Sequence, residues 1–232
     1  MVAPLHSDNS VSLADGDSIA DLFDRNLEWA RGKTQSDPDF FARLVGQQSP
    51  RYFWVGCSDS RVPATEIVDL DPGEMFVHRN IANLTPVSDI NFNAALLFAI
   101  KVLRVRHVLV VGHYGCGGIR AARSAVSNDA IGAWLAPVRA LCWQHRGILH
   151  ALPNEPARDD RLCELNVVHQ VDQVCANPLV RQAWQDGREL SVHGLIYAIG
   201  DGLLRRVCNP VSRPGAADAD SCSEDVNDEH IL

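Results

Sequence analysis

Apolar residues along this 232-residue chain keep two periods, and the switching between them predicts alternating helices and strands. Ser18–Lys33 spaces Ile19, Leu22, Phe23, Leu27 and Ala30 three or four apart, as one face of a helix requires, with Ser18 and Asp21 placed as an N-terminal cap pair. Asp37 and Pro38 predict the start of a short helix through Phe40, Phe41, Leu44 and Val45 that Gly46 can end. Tyr52-Phe53-Trp54-Val55 is instead a run of strand formers that stops at Gly56. After Ile67, Val68 and Leu70, the turn Asp71-Pro72-Gly73 leads into Met75–His78, which reads as a second, buried strand ended by Arg79 and Asn80.

The helical period returns at Phe92, Ala95, Leu96, Ala99, Ile100 and Leu103 and gives way to a strand at 107–111. Strand, helix, strand at this spacing predicts parallel pairing with a right-handed crossover, hence an α/β fold. Ile119–Val126 and much of 131–150 read as helical, with Pro137 marking a break, and Arg161–Cys175 repeats Leu162, Leu165, Val168 and Val171. Asn177-Pro178 opens a further helix ending near Gly187, Leu190–Ala198 is the last core strand, and Leu203–Val207 adds an edge strand. Residues 1–17 are expected to form a flexible arm, 18–209 a single α/β domain, and 210–232 a disordered acidic tail.

Composition narrows the class. With 46% hydrophobic and 22% charged residues the chain suits one ordinary globular core. Net charge is −8, but residues 210–232 carry six acids against Arg213 and so hold five of those charges; the rest is mildly acidic, which argues against a nucleic-acid partner. No run approaches the roughly 20 apolar residues that span a bilayer, and the polar, acidic start lacks a signal-peptide pattern, so a cytoplasmic protein is expected. Seven cysteines cannot all pair, which fits a reducing compartment.

Chemistry concentrates at two strand ends, where open α/β sheets keep their ligands. The first delivers Cys57-Ser58-Asp59-Ser60-Arg61, the second Gly112-His113-Tyr114-Gly115-Cys116-Gly117-Gly118. Cys57, His113 and Cys116 make the three-ligand set of a catalytic zinc site that keeps its fourth position for water. Two thiolates leave a bound water less acidic than three histidines would; Asp59 can accept a hydrogen bond from zinc-bound hydroxide while Arg61 holds its carboxylate. The glycines match neither a dinucleotide fingerprint nor a phosphate loop, and their small size is expected to let the backbone pass close to the metal.

Cys57-Ser58-Asp59-Ser60-Arg61 with His113-x-x-Cys116-Gly117-Gly118 resembles a β-class carbonic anhydrase, and the likeness continues through Arg79-Asn80-Ile81-Ala82-Asn83 and Val192-His193-Gly194 to Tyr197, covering roughly residues 18–207. Leu195 departs from the aromatic residue many relatives carry after His-Gly. The resemblance implies a mainly parallel four-stranded sheet, a helical N-terminal arm embracing a partner, and a homodimer or homotetramer. It also implies Zn2+ as cofactor and reversible hydration of CO2 to bicarbonate and a proton by zinc-hydroxide attack, with Asp59 and Arg61 orienting the hydroxide. In the bicarbonate-regulated, type II branch, Trp54, Gly56, Arg79 and Tyr197 match positions that bind a non-catalytic bicarbonate and favour a closed state in which Asp59 leaves Arg61 and ligates zinc. Two alternatives stand beside this reading: a hydrolase of CS2 or a similar linear substrate, and a non-enzymatic zinc-binding module.

Overall fold

The computed structural model describes residues 19–124 and 128–213; the arm expected over 1–17, the cap residue Ser18, the end of the helix expected over Ile119–Val126 and the chain beyond Arg213 lie outside them. A first compact unit ends at Gln47 and a second begins at Gln48. In the first, α1 (Ile19–Ser36) and α2 (Phe40–Val45) are joined by a tight turn, and Trp29 meets Phe40 and Phe41 edge-on with ring centroids 6.4 and 5.7 Å apart. No residue of α1 is buried, and Ile19, Leu22 and Phe23 stand more than half exposed. Pro38 sits in the turn rather than in the first turn of α2, which starts two residues later than expected. Asp37 causes this: its carboxylate accepts the Asp39 N–H at 3.1 Å and pairs with Arg43, folding a local turn that postpones the helix.

The second unit is built on β1 (Tyr52–Cys57), α3 (Ala64–Ile67), β2 (Met75–Asn80), α4 (Ile90–Leu97), β3 (His107–His113), α5 (Gly117–Ser124), α6 (Ala130–Trp134), α7 (Ala136–Gln144), α8 (Arg146–Ala151), α9 (Glu155–Ala176), α10 (Pro178–Gln185), β4 (Ser191–Ala198) and β5 (Leu203–Val211). The sheet order is β2-β1-β3-β4-β5, with the first four strands parallel and β5 antiparallel at the edge, the expected mainly parallel sheet with its extra strand. Alternation sends Phe53, Val55, Val108, Val110, Val192 and Ile196 to one face, where α4, α9 and α10 bury them with Phe92, Leu96, Leu162, Val167, Val171 and Val180. Trp54, Met75 and Val111 point the other way, into a smaller cluster with Val62 and Ala64. Because β1 is covered on both sides, its sequence reads as an unbroken apolar run.

Three expectations need correction. The strand at Met75 is an edge strand running through Arg79 and Asn80, with Val77 38% exposed; a three-residue apolar run looks alike at the centre and edge of a sheet. The helix into β3 changes pitch at Phe98, continues as a π-helical stretch to Leu103, and stops at left-handed Arg104 (φ 56°). Pro210, expected in the tail, belongs to β5, whose outer edge needs no N–H donor there; Val211 at its end is buried.

Candidate metal centre

The site sits where β1 and β3 end side by side. Their parallel register pairs Gly56 with Val111, which brings Cys57, the last residue of β1, close to His113, the last residue of β3, and the loop after His113 returns Cys116 before α5 begins at Gly117. Gly115 turns that loop with φ +68°, a left-handed conformation that disfavours side chains. Gly112 serves a different purpose from the expected passage beside the metal: a Cβ there would come within 2.6 Å of Val167, so its absence lets α9 lie against β3.

Cys57, His113 and Cys116 are all buried, and their ligand atoms lie within 4.8 Å of one another, the one such cluster among the described residues. The two sulfurs are 3.9 Å apart. Zinc–sulfur bonds of about 2.3 Å at a tetrahedral angle demand about 3.8 Å, so the pair fits this ion. His113 donates its Nδ1–H to the Tyr114 carbonyl at 3.0 Å, which fixes Nε2 as the bare nitrogen. That Nε2 is buried and has no hydrogen-bond partner among the described residues, an orphaned lone pair that a metal would satisfy.

The thiols are electronically prepared. A hydrogen bond from Cys116 is the main influence that lowers the Cys57 thiol against the opposing effect of burial, helped by the backbone amides of Ala82 and Asp59. Cys116 is pushed up, first by sharing its proton with Cys57 and then by burial. Two thiolates this close repel, and a dication between them would remove that repulsion.

Asp59 and Arg61 form the expected pair. Arg61 Nε donates to Asp59 Oδ1 at 2.9 Å, Nη2 to Oδ2 at 2.7 Å, and the Arg61 amide to Oδ1 at 3.0 Å. This grip holds the Asp59 carboxyl well below the usual carboxylate range. Asp59 Oδ2 lies 3.7 Å from His113 Nε2, beside the point where the ligand atoms converge. Arg79 is bonded to the chain itself, Nε to the Cys57 carbonyl at 2.8 Å and Nη2 to the Asp59 carbonyl at 2.5 Å. Trp54 is fully buried on the opposite sheet face in the cluster that includes Tyr197; its Nε1 lacks a partner among the described residues, and its ring covers Gly56, where a Cβ would sit 2.2 Å from that nitrogen.

Sequence reasoning missed a support beneath Cys57. Ala82 and Asn83 both hold positive φ, 65° and 48°. Asn166 of α9 donates to the Ala82 carbonyl at 2.9 Å and accepts from Gln170 at 3.1 Å, while Thr85 donates to Gln170 Oε1 from its amide (2.8 Å) and its hydroxyl (3.0 Å). This buried network holds a strained turn whose amide faces the Cys57 sulfur. Its signal was two amides, Asn166 and Gln170, four apart in an otherwise apolar helical stripe.

A parallel α/β sheet that converges two thiols and an imidazole on one buried point defines a metal-binding protein of the open-sheet class. A family model for carbonic anhydrase matches residues 52–204. A carbonic anhydrase of Emericella nidulans is 40% identical over 184 residues, covering 79% of this chain and 81% of that protein. Among solved structures, a Coccomyxa β-carbonic anhydrase in complex with acetazolamide superposes with a TM-score of 0.84 at 34% identity, over 88% of this chain and 93% of that one. Tetrameric β-carbonic anhydrases from Sordaria macrospora supply another match, at 0.80 and 36%, over 83% and 98%. The chain belongs to the β-class carbonic anhydrases.

Proposed function

We propose that reversible hydration of CO2 to bicarbonate and a proton takes place at the Cys57–His113–Cys116 centre, with Asp59 and Arg61 as its orienting pair. The observation that carries this is three buried ligand atoms within 4.8 Å beside a doubly bonded Asp59–Arg61 pair. Zinc, held by those three residues, would supply positive charge that makes a water nucleophilic near neutral pH. Asp59, anionic and fixed by Arg61, offers an acceptor beside His113 Nε2, where it can orient an attacking water. Zinc content with turnover of CO2 rather than CS2 tests the reading; a zinc-loaded protein that hydrates no CO2 contradicts it.

The same residues support a two-state switch. Asp59 is on Arg61 in this structure, and its 3.7 Å distance to His113 Nε2 leaves a short swing into the ligand set, which would close the site to water. Alkaline pH favours a hydroxide competitor and thus the open arrangement. Bicarbonate captured by Arg79, with Trp54 and Tyr197 and across Gly56, would draw the guanidinium off the Cys57 and Asp59 carbonyls and loosen the segment that holds Asp59. Trp54 Nε1, without a hydrogen-bond partner among the described residues, is a donor available for that anion. Bicarbonate shifts the balance only by its differential affinity for the two states. A pH–rate profile that stays flat from neutral to alkaline would overturn the switch.

The chain is further proposed to act as a homodimer or homotetramer. Among the described residues the apolar side chains of α1 stand exposed, and the Sordaria macrospora relatives are tetrameric. A monomer in sedimentation at micromolar concentration would contradict it.

A further inference from the structure

On the reading that Cys57, His113 and Cys116 hold zinc, we propose that Glu164 and Asp160, one turn apart on α9, are positioning residues that fix the tautomer and aim of His113 through the Tyr114–Gly115 peptide. His113 can offer Nε2 to a metal only while Nδ1 keeps its proton, and the acceptor for that proton is the Tyr114 carbonyl at 3.0 Å. Where this carbonyl points depends on where Tyr114 is pinned. Its amide donates to the Tyr197 carbonyl at 3.0 Å, tying it to β4, and its hydroxyl donates to Glu164 Oε1 at 2.6 Å, tying it to α9. Glu164 is itself held, since its other oxygen accepts from Arg161 at 3.0 Å.

The N–H of the same peptide belongs to Gly115 and faces the carboxylate of Asp160. One peptide unit therefore has a carboxylate facing its N–H and the ligand imidazole hydrogen-bonded to its C=O. Negative charge at Asp160 polarises the peptide and strengthens the carbonyl as an acceptor for His113. Metal-bound histidines commonly lean on a carboxylate directly, which orients the ring and raises its basicity; here one peptide stands between the two. The four-residue spacing of Asp160 and Glu164 puts both on the α9 face toward this loop.

The experiment measures zinc affinity of the full-length protein by competition with a chromophoric chelator, alongside the melting temperature of the metal-free form. Tyr114→Phe, Glu164→Leu and Asp160→Ala should each weaken zinc binding about tenfold. Glu164→Gln, which keeps a carbonyl acceptor for Tyr114, should stay within about twofold of wild type, and Tyr114→Phe/Glu164→Leu should be no weaker than either single change. If Glu164→Leu does not fold, Tyr114→Phe, which removes one oxygen, carries the test. Unchanged zinc affinity in the variants, even with lowered melting temperatures, would make these contacts a staple between α9 and β3 and overturn the proposal. A wild-type protein that binds no zinc would overturn the metal reading itself, a separate outcome.

Discussion

At the scale of single residues, Cys57, His113 and Cys116 carry the heaviest expectation. Alanine at any of them leaves two ligands, and zinc retention and CO2 hydration should both fall by about two orders of magnitude or more, as elemental analysis and stopped-flow assay would read. Trp54→Phe and Tyr197→Phe should leave the alkaline rate near wild type while weakening inhibition by added bicarbonate; inhibition unchanged in both would count against the regulatory role. A second pair of groups sets a pH dependence of stability. His107 Nδ1 and His193 Nε2 are 3.2 Å apart, with Arg51 and Arg106 near the first and Arg206 near the second. Burial, then the neighbouring His107 and Arg206, depresses His193 to about 4. A lowered histidine favours the fold while neutral, so its contribution is full above the ordinary histidine range and is lost as pH falls toward 4. His193→Gln should therefore flatten the decline of melting temperature between about pH 6.5 and 4. The two stretches that the structure brings together, Cys57–Arg61 and His113–Cys116, were legible in the sequence because each occupies a few consecutive positions. Asn166 acts on Ala82 from 84 residues away, a separation no local spacing reveals.

Elements behave as their contacts dictate. Helix α9 packs on β3 and β4 through the space left by Gly112 and Gly194: an added Cβ would meet Val167 at 2.6 Å from Gly112, and Val167 and Val171 at 3.1 Å from Gly194. Gly112→Ala should cost about 1–3 kcal/mol of stability through overpacking, measured by denaturant unfolding. Asn166→Leu deprives Gln170 and the Ala82 carbonyl of partners; it should destabilise by about 1–3 kcal/mol and also weaken zinc binding, because the turn facing Cys57 loses its hold. Most strands and helices could be read from periodicity, since β1, β3 and β4 are buried and α9 is long. What could not be read depended on tertiary position: whether Met75–Asn80 lay at the centre or edge, where Asp37 would place its carboxylate, and how the helix before β3 would end.

At the scale of the whole molecule, the exposed apolar positions of α1, Ile19, Leu22, Phe23 and Leu27, should disappear into a homo-oligomer. Replacing Leu22 and Phe23 together with serine should shift sedimentation toward the monomer. Truncation after Arg213 removes only residues rich in acids, Ser and Ala and should leave activity within about twofold of wild type, whereas truncation before Val211 strips a buried residue from β5 and should lower the melting temperature. These outcomes surround one central claim, that a single zinc per chain at Cys57, His113 and Cys116 drives CO2 hydration. The most direct measurement is a zinc titration of the metal-free protein followed by stopped-flow CO2 hydration. Activity should rise in proportion to added zinc and break at one equivalent per chain; full activity before any zinc is added, or none after it is bound, would contradict the account.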